Sequence, residues 1–302
     1  MARSVTARGR DLPMRQLDRR AVCVSGGALV LWPWATPAAS LPAPELAAYE
    51  RASGGRIGVF AQDLKTGRKI AWRADERFVM CSSFKPSLVA CVLSRVDRGQ
   101  ERLDRIVTYG ERDLLVNSPV ARENLAKGGL PVEDMCRAAV EVSDNTCANK
   151  LLASIGGPPA MTAFWRSIGD RVTRLDHNEP ELNRSKPGDP RDTTTPAAMA
   201  ANLYRFVLGE VLSHASRRRL TEWMVGCRTG ADRLRGGLPA GWRVGDKTGN
   251  NGEDAAGDIA VAWPTPDRPV LIAAYVQGGS PTPEQIKAVF AAAGQMVGRR
   301  FA

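Results

Sequence analysis

Two hydrophobic periods divide this chain, and their order along it limits what it can fold into. Strand-like runs stand near both ends: Arg56–Leu64 and Lys69–Arg73 early, then Trp242–Lys247, Asp258–Trp263 and Val270–Gln277 late. The first two flank Lys65-Thr66-Gly67-Arg68, a turn that makes them a hairpin. From about residue 82 to 224 the period is helical, with apolar residues every three or four positions, as in Phe84, Leu88 and Val92. Pro44 to Ala52 reads as a short helix ended by Gly54-Gly55, and the last segment sets Ile286, Val289, Phe290, Ala293 and Met296 on one helix face. Strands at both ends with helices between them describe an α+β fold, one layer built by the two termini and an all-helical insertion. Inside the helical part lies a long irregular stretch, about His177 to Thr195, rich in Pro, Asp, Asn and Gly. A loop of that length in a folded domain is usually functional.

The N-terminal forty residues belong to a different class of sequence. Arg19-Arg20 stand directly before an uncharged stretch from Ala21 to Pro44 that holds Val22, Val24, Leu29, Val30, Leu31, Trp32 and Trp34 and then small residues. A charged start, a short apolar stretch and a small-residue exit describe an export signal. The arginine pair resembles a twin-arginine signal. Pro33 and Pro37 interrupt the apolar part, which argues against a membrane anchor. The expected division is therefore 1–40 as signal, 41–73 with 225–302 as a discontinuous sheet domain, and 74–224 as a helical domain carrying a site loop at about 174–195. The expected mature protein is periplasmic or secreted, free of the membrane and monomeric.

Charge and composition exclude several classes. The chain of 302 residues carries a net +10, but residues 1–40 hold six arginines against two aspartates, so +4 of it sits in the signal. The remaining basic residues are scattered, and Arg217-Arg218-Arg219 reads as a solvated helix face; nucleic acid is not an expected partner. Two histidines and no C-x-x-C pair argue against a metal enzyme. Removing the signal with Cys23 leaves five cysteines, 81, 91, 136, 147 and 227. An odd number reads as small buried hydrophobes with at most one or two bridges.

Four short motifs carry chemistry. In Cys81-Ser82-Ser83-Phe84-Lys85, Ser82 and Lys85 stand three apart at a helix start and share a face. A serine hydroxyl needs a base to take its proton, and a neutral lysine can serve. In Ser143-Asp144-Asn145 a hydroxyl can relay a proton and an amide can bind another amide; alone, the triplet is an ordinary helix cap. In Glu179-Pro180-Glu181-Leu182-Asn183 a carboxylate and a carboxamide four apart can hold one water between them; alone, it reads as a solvated acidic loop. Glu179 precedes a proline, where a cis bond is affordable. In Asp246-Lys247-Thr248-Gly249 a lysine and a threonine can grip a carboxylate, and glycine lets a ligand approach the backbone. Lys65-Thr66-Gly67 has the same three letters but falls in the hairpin turn, so it reads as turn chemistry.

Ser82, Ser143, Glu179 and Lys247 follow one another in the order S-x-x-K, S-D-N, E-x-x-L-N and K-T-G, and with it the chain resembles the class A serine β-lactamases. The likeness extends over nearly all of residues 45–301 and includes Arg73-Ala74-Asp75-Glu76-Arg77-Phe78, Gly156-Gly157-Pro158 and Pro187-Gly188-Asp189-Pro190-Arg191-Asp192-Thr193. It implies an antiparallel five-stranded sheet flanked by helices, and hydrolysis of β-lactam antibiotics through a serine acyl-enzyme. It implies Ser82 as nucleophile, Lys85 as acylation base with or without Glu179, and Ser143 as proton donor to the ring nitrogen. Glu179 and Asn183 would position the deacylating water. The backbone N–H groups of Ser82 and Asn250 would form the oxyanion hole. Asn145 would bind the substrate side-chain amide, while Lys247, Thr248 and Arg233, beside Gly249 and Asn250, would hold its carboxylate. Asn149 would brace the loop that carries Glu179. Asn117 stands where an aromatic often lines the site mouth. No metal or organic cofactor is implied.

The departures bear on substrate preference. His177 replaces an arginine that pairs with the aspartate at the position of Asp192 in many relatives, and an imidazole loses its charge near neutrality, so a more mobile loop is expected. Asn250 replaces a small or hydroxyl residue. Asn251 and Val89 occupy the places of the cysteines that relatives pair with Cys81 and Cys136. The nearest rival is a DD-peptidase or a β-lactam sensor, which acylates but deacylates slowly. Glu179 with Asn183 separates the two readings.

Overall fold

The computed structural model describes residues 43–184 and 186–302. The segment read as an export signal, with Cys23, lies outside the described residues. Nine strands follow in chain order among the described residues: β1 (Arg56–Asp63), β2 (Lys69–Trp72), β3 (Phe78–Val79), β4 (Ile106–Thr108), β5 (Gly129–Pro131), β6 (Thr193–Thr194), β7 (Arg243–Asn250), β8 (Ala255–Trp263) and β9 (Val270–Gln277). The helices are α1 (Pro44–Ser53), α2 (Lys85–Asp97), α3 (Pro119–Glu123), α4 (Val132–Glu141), α5 (Asn145–Ile155), α6 (Gly157–Ser167), α7 (Pro196–Val207), α8 (His214–Val225), α9 (Leu234–Gly237) and α10 (Pro283–Phe301). No described helix is long and apolar enough to cross a membrane.

The main sheet has five strands in the order β2-β1-β9-β8-β7, each pair antiparallel. β1 lies against β9 from Arg56↔Gln277 to Asp63↔Val270, so the two chain ends meet in its centre, as the placement of the strand-like runs requires. All eight residues of β9 are buried, because both faces of the sheet are covered and a strand there reads as one apolar run. On one face α1 and α10 pack Leu46, Tyr49, Ile286, Val289, Phe290, Val297 and Phe301 against Ile57, Val59, Ile272 and Ala274. Burying a side chain of that size contributes about 1.5–3 kcal/mol. Thr282 and Gln285 fix the start of α10 by bonding each other's backbone N–H groups, at 3.2 and 2.8 Å.

The other face carries the helical layer around α2, whose residues Lys85 to Ser94 are all buried. The irregular stretch contains a 3₁₀ turn at Glu181–Asn183 and ends in β6, which pairs with β3. Two strands differ from the sequence expectation. β7 continues past Lys247 to Asn250, and β8 begins at Ala255 rather than Asp258, with Gly249 opposite Gly257. Glycine has poor strand propensity, so the ladder that carries K-T-G was hidden in the hydrophobic pattern. The decoy Lys65-Thr66-Gly67 is a turn, with Asp63 Oδ1 accepting from the N–H groups of Lys65 and Thr66. All five described cysteines are buried and free, so the allowance of one or two bridges reduces to none among them.

Candidate active site

The nucleophile's position is set by a forced turn. Ser82 lies on a 3₁₀ turn, Cys81–Phe84, that runs into α2, and Cys81 before it is held at φ 46°. Left-handed backbone is costly for a residue with a β-carbon, so the packing around the turn must hold it there. Much of that packing is β7. A β-carbon on Gly249 would lie 2.7 Å from the Met80 carbonyl and 2.9 Å from the Ser82 nitrogen. Only glycine lets the strand approach so closely. The end of β7, Gly249 and Asn250, is thereby brought beside the backbone N–H of Ser82.

Ser82 Oγ donates to Glu179 Oε1 at 2.8 Å. The same oxygen lies 3.3 Å from Lys85 Nζ. Lys85 is fully buried on the first turn of α2, and its ammonium donates to the Ser143 carbonyl at 2.8 Å, Asn145 Oδ1 at 2.6 Å and Ser143 Oγ at 3.2 Å. Burial lowers its pKa from the ordinary lysine value, and the charge of Glu179 opposes that shift. Ser143 sits between two lysines, because Lys247 Nζ donates to its Oγ from the other side at 3.0 Å. Burial, with Lys85 adding repulsion, pushes the Lys247 ammonium down to about 8.

Glu179 is aimed by its neighbours on both flanks. Its Oε2 accepts from Asn183 Nδ2 at 2.5 Å across one turn of the 3₁₀ segment. Asn149 on α5 clasps its backbone, donating to the Glu179 carbonyl at 2.8 Å and accepting from its N–H at 3.0 Å. The Glu179–Pro180 peptide is cis. Asn183 Oδ1 is buried without a hydrogen-bond partner, an acceptor left open beside Glu179. At the neck of this loop His177 Nδ1 meets Asp192 Oδ2 at 2.6 Å, and Asp192 Oδ1 accepts from the N–H groups of Asp176 and His177. A cavity of about 670 Å³ opens alongside, lined by His177, Asn183, Asp192, Asn251 and Glu253.

The middle residue of Ser143-Asp144-Asn145 is a brace. Asp144 caps α5 through Cys147 N–H and accepts from the N–H groups of Val120 and Ala121. That ties the 117–121 segment to the site. Asn117 donates to the Ser143 carbonyl at 3.0 Å, and Asn145 Nδ2 donates to the Val116 carbonyl at 3.0 Å. On the opposite wall Thr248 Oγ1 lies 2.6 Å from Thr229 Oγ1. Arg233 donates to the carbonyls of Gly249 and Gly257, with its guanidinium over the Phe290 ring. Asn250, exposed at the end of β7, accepts from Gly252 N–H through Oδ1.

The structure brings Ser82, Lys85, Ser143, Asn145, Glu179 and Asn183 into one hydrogen-bonded cluster, with Lys247 joined to it through Ser143. The motifs did not reveal the support beneath β7. Asp246 is buried and paired with Arg235 at 2.6 Å, while Asp258 accepts from Leu234 N–H. Burial pushes both carboxyls up, Asp258 most, and Arg235 opposes the shift at Asp246. The signal was a charged residue inside an apolar strand, which demands a buried partner. Thr229 had no such signal, since a lone threonine after a helix is unremarkable in a sequence.

Comparison with known proteins agrees with this geometry. Residues 42–301 match the model of the beta-lactamase enzyme family. Beta-lactamase L2 of Stenotrophomonas maltophilia is 52% identical over 265 residues, 87% of each chain. An ancestral (GNCA) class A beta-lactamase superposes with a TM-score of 0.82 at 54% identity, over 86% of this chain and 99% of that one. A beta lactamase from Xanthomonas campestris pathovar campestris gives 0.82 at 45% identity, over 85% and 96%. With the fold, the four motifs and these relatives in agreement, the chain belongs to the beta-lactamase enzyme family, as a class A member.

Proposed function

We propose that Ser82 opens the β-lactam ring and that water activated by Glu179 releases it, so that the chain hydrolyses β-lactam antibiotics and confers resistance to them. The observation that carries this reading is the single carboxylate of Glu179, with one oxygen on the Ser82 hydroxyl at 2.8 Å and the other on Asn183 at 2.5 Å. A base touching both the nucleophile and a water-binding amide serves both halves of an acyl-transfer cycle.

In acylation the Ser82 proton passes into the Glu179–Lys85 pair as Oγ attacks the ring carbonyl. The N–H groups of Ser82 and Asn250 receive the oxyanion. The carbon–nitrogen bond breaks, and Ser143, supplied by the lysines on either side, protonates the leaving nitrogen. In deacylation a water donates to Glu179 and to the open acceptor of Asn183, attacks the ester, and returns the proton to Ser82. Lys247, Thr248, Gly249 and Arg233 form the carboxylate pocket, with Asn250 at its rim. Asn145 and Asn117 face the substrate side chain. No cofactor enters the cycle.

Purified protein mixed with a chromogenic cephalosporin should give many turnovers per molecule. One covalent event without turnover would instead mark a DD-peptidase or sensor. The depressed Lys247 gives a second expectation. Its charge is present below pH 8 and lost as the pH rises through about 8. KM for an anionic β-lactam should therefore climb on the alkaline side, and a KM that stays flat to pH 9.5 would remove Lys247 as the charged anchor.

The same reading takes residues 1–40, with Arg19-Arg20 before their uncharged stretch, as a twin-arginine-like export signal. The mature enzyme then works in the periplasm or outside the cell as a monomer. Its sheet domain, 41–73 with 225–302, and its helical domain, 74–224, supply the two walls of the site.

A further inference from the structure

Two residues in left-handed backbone meet at the mouth of the site, Ser143 at φ 61° and Asn117 at φ 57°. Asparagine enters that region more readily than most residues, whereas a serine must be held there by what surrounds it. The two segments are stitched together. The Asn117 carbonyl accepts from Asn145 N–H at 3.0 Å, and Asn145 Nδ2 donates to the Val116 carbonyl at 3.0 Å. In the other direction Asn117 Nδ2 donates to the Ser143 carbonyl at 3.0 Å. A carbonyl only accepts, so the atom that faces Ser143 is the amide nitrogen.

The Ser143 carbonyl thus has two donors, and they differ in kind. One is Lys85 Nζ at 2.8 Å, the other the Asn117 amide. Lys85 trades protons during the reaction. On passing one to Ser143 Oγ, 3.2 Å away, it becomes a neutral amine with a weaker grip on the carbonyl. That is the moment at which Oγ must give a proton to the ring nitrogen. The Asn117 amide does not titrate, so its hold is the same throughout. Ser143 is 7% exposed, and its carbonyl and Oγ hang from one α-carbon. Fixing the carbonyl therefore fixes the frame from which Oγ reaches between Lys85 and Lys247.

We propose that Asn117 is a positioning residue for acylation: its side-chain amide holds the Ser143 carbonyl, and with it the Ser143 hydroxyl, in place while the leaving nitrogen is protonated. This rests on the reading of Ser143 as the proton donor. Deacylation runs on Glu179, Asn183 and a water, without Ser143, so the effect belongs to one half of the cycle. It is also independent of the substrate side chain, because the bond lies within the protein.

The test is pre-steady-state measurement of the acylation and deacylation rates at saturating substrate, with two probes: a penicillin bearing an acylamide side chain, and the penicillin nucleus with a free amine in its place. Asn117→Gly keeps the left-handed angle available and removes the amide; Asn117→Asp keeps the shape and replaces the donor by an acceptor. Both should slow acylation about tenfold with either probe and leave deacylation within about twofold of wild type. In a Ser143→Ala background, Asn117→Gly should have no further effect, because the group it positions is gone. Unchanged acylation in either variant would overturn the proposal. So would a loss confined to the acylamide probe, the mark of a substrate contact, or an equal loss in both steps, the mark of a loosened segment. Ser143→Ala separates the two readings. If it slows acylation while Asn117→Gly does not, the positioning is wrong and the donor assignment stands; if it leaves acylation unchanged, the donor assignment falls and the positioning with it.

Discussion

A Glu179→Ala enzyme is expected to take up one β-lactam per molecule of protein and to keep it. Acylation slows but persists through the remaining half of the pair, because Lys85 is still held by burial at a lowered pKa and still donates to Ser143 Oγ. The loop also survives, since Asn149 clasps the backbone of residue 179 and not its side chain. The missing element is the base that deprotonates the attacking water, worth about 10²–10⁴ in rate. Intact-mass spectrometry should show the protein shifted by the mass of one substrate, with the adduct on Ser82. Steady turnover within about tenfold of wild type would move the deacylating base elsewhere.

Ser82→Ala should be the more severe lesion, with kcat falling by at least about a thousandfold. The hydroxyl's hydrogen bond is to Glu179, and the 3₁₀ turn is held by Ser83, whose Oγ donates to the Met80 carbonyl, and by β7. The variant should therefore fold and still bind substrate through the Lys247 wall. Binding without an adduct is the expected result, read by equilibrium titration and intact mass together. Turnover above about one per cent of wild type would remove Ser82 as nucleophile.

The motifs were legible because their chemistry needs particular residue types at fixed offsets. Ser82 and Lys85 had to share a helix face, and Glu179 had to reach Asn183 across one turn; both hold in the structure. The sheet was legible because β9 is apolar from Val270 to Val276 and β1 carries Ile57, Val59, Phe60 and Ala61 in its middle. What remained hidden depends on contacts between distant segments. Asp144 looks like any helix cap until Val120 and Ala121 arrive on its other oxygen. Thr229 gains meaning only beside Thr248, and the last residues of β7 only opposite β8. His177 meets Asp192 at 2.6 Å on a carboxylate that the backbone N–H groups of residues 176 and 177 also hold, a junction of segments 15 residues apart.

The pairing of β1 with β9 also governs how the molecule comes into being. Arg56 and Gln277 are 221 residues apart, yet they lie side by side in the sheet. Contacts of such high order form slowly, since a long loop must close before they repay it. A ribosome that has released the first 240 residues has made Ser82, Asn117, Asn145, Asn149 and Glu179, but no surface to hold the serine's turn at its left-handed angle. Activity must therefore arrive all at once, late in synthesis, and a chain cut short before residue 270 is expected to be inert despite carrying all four motifs.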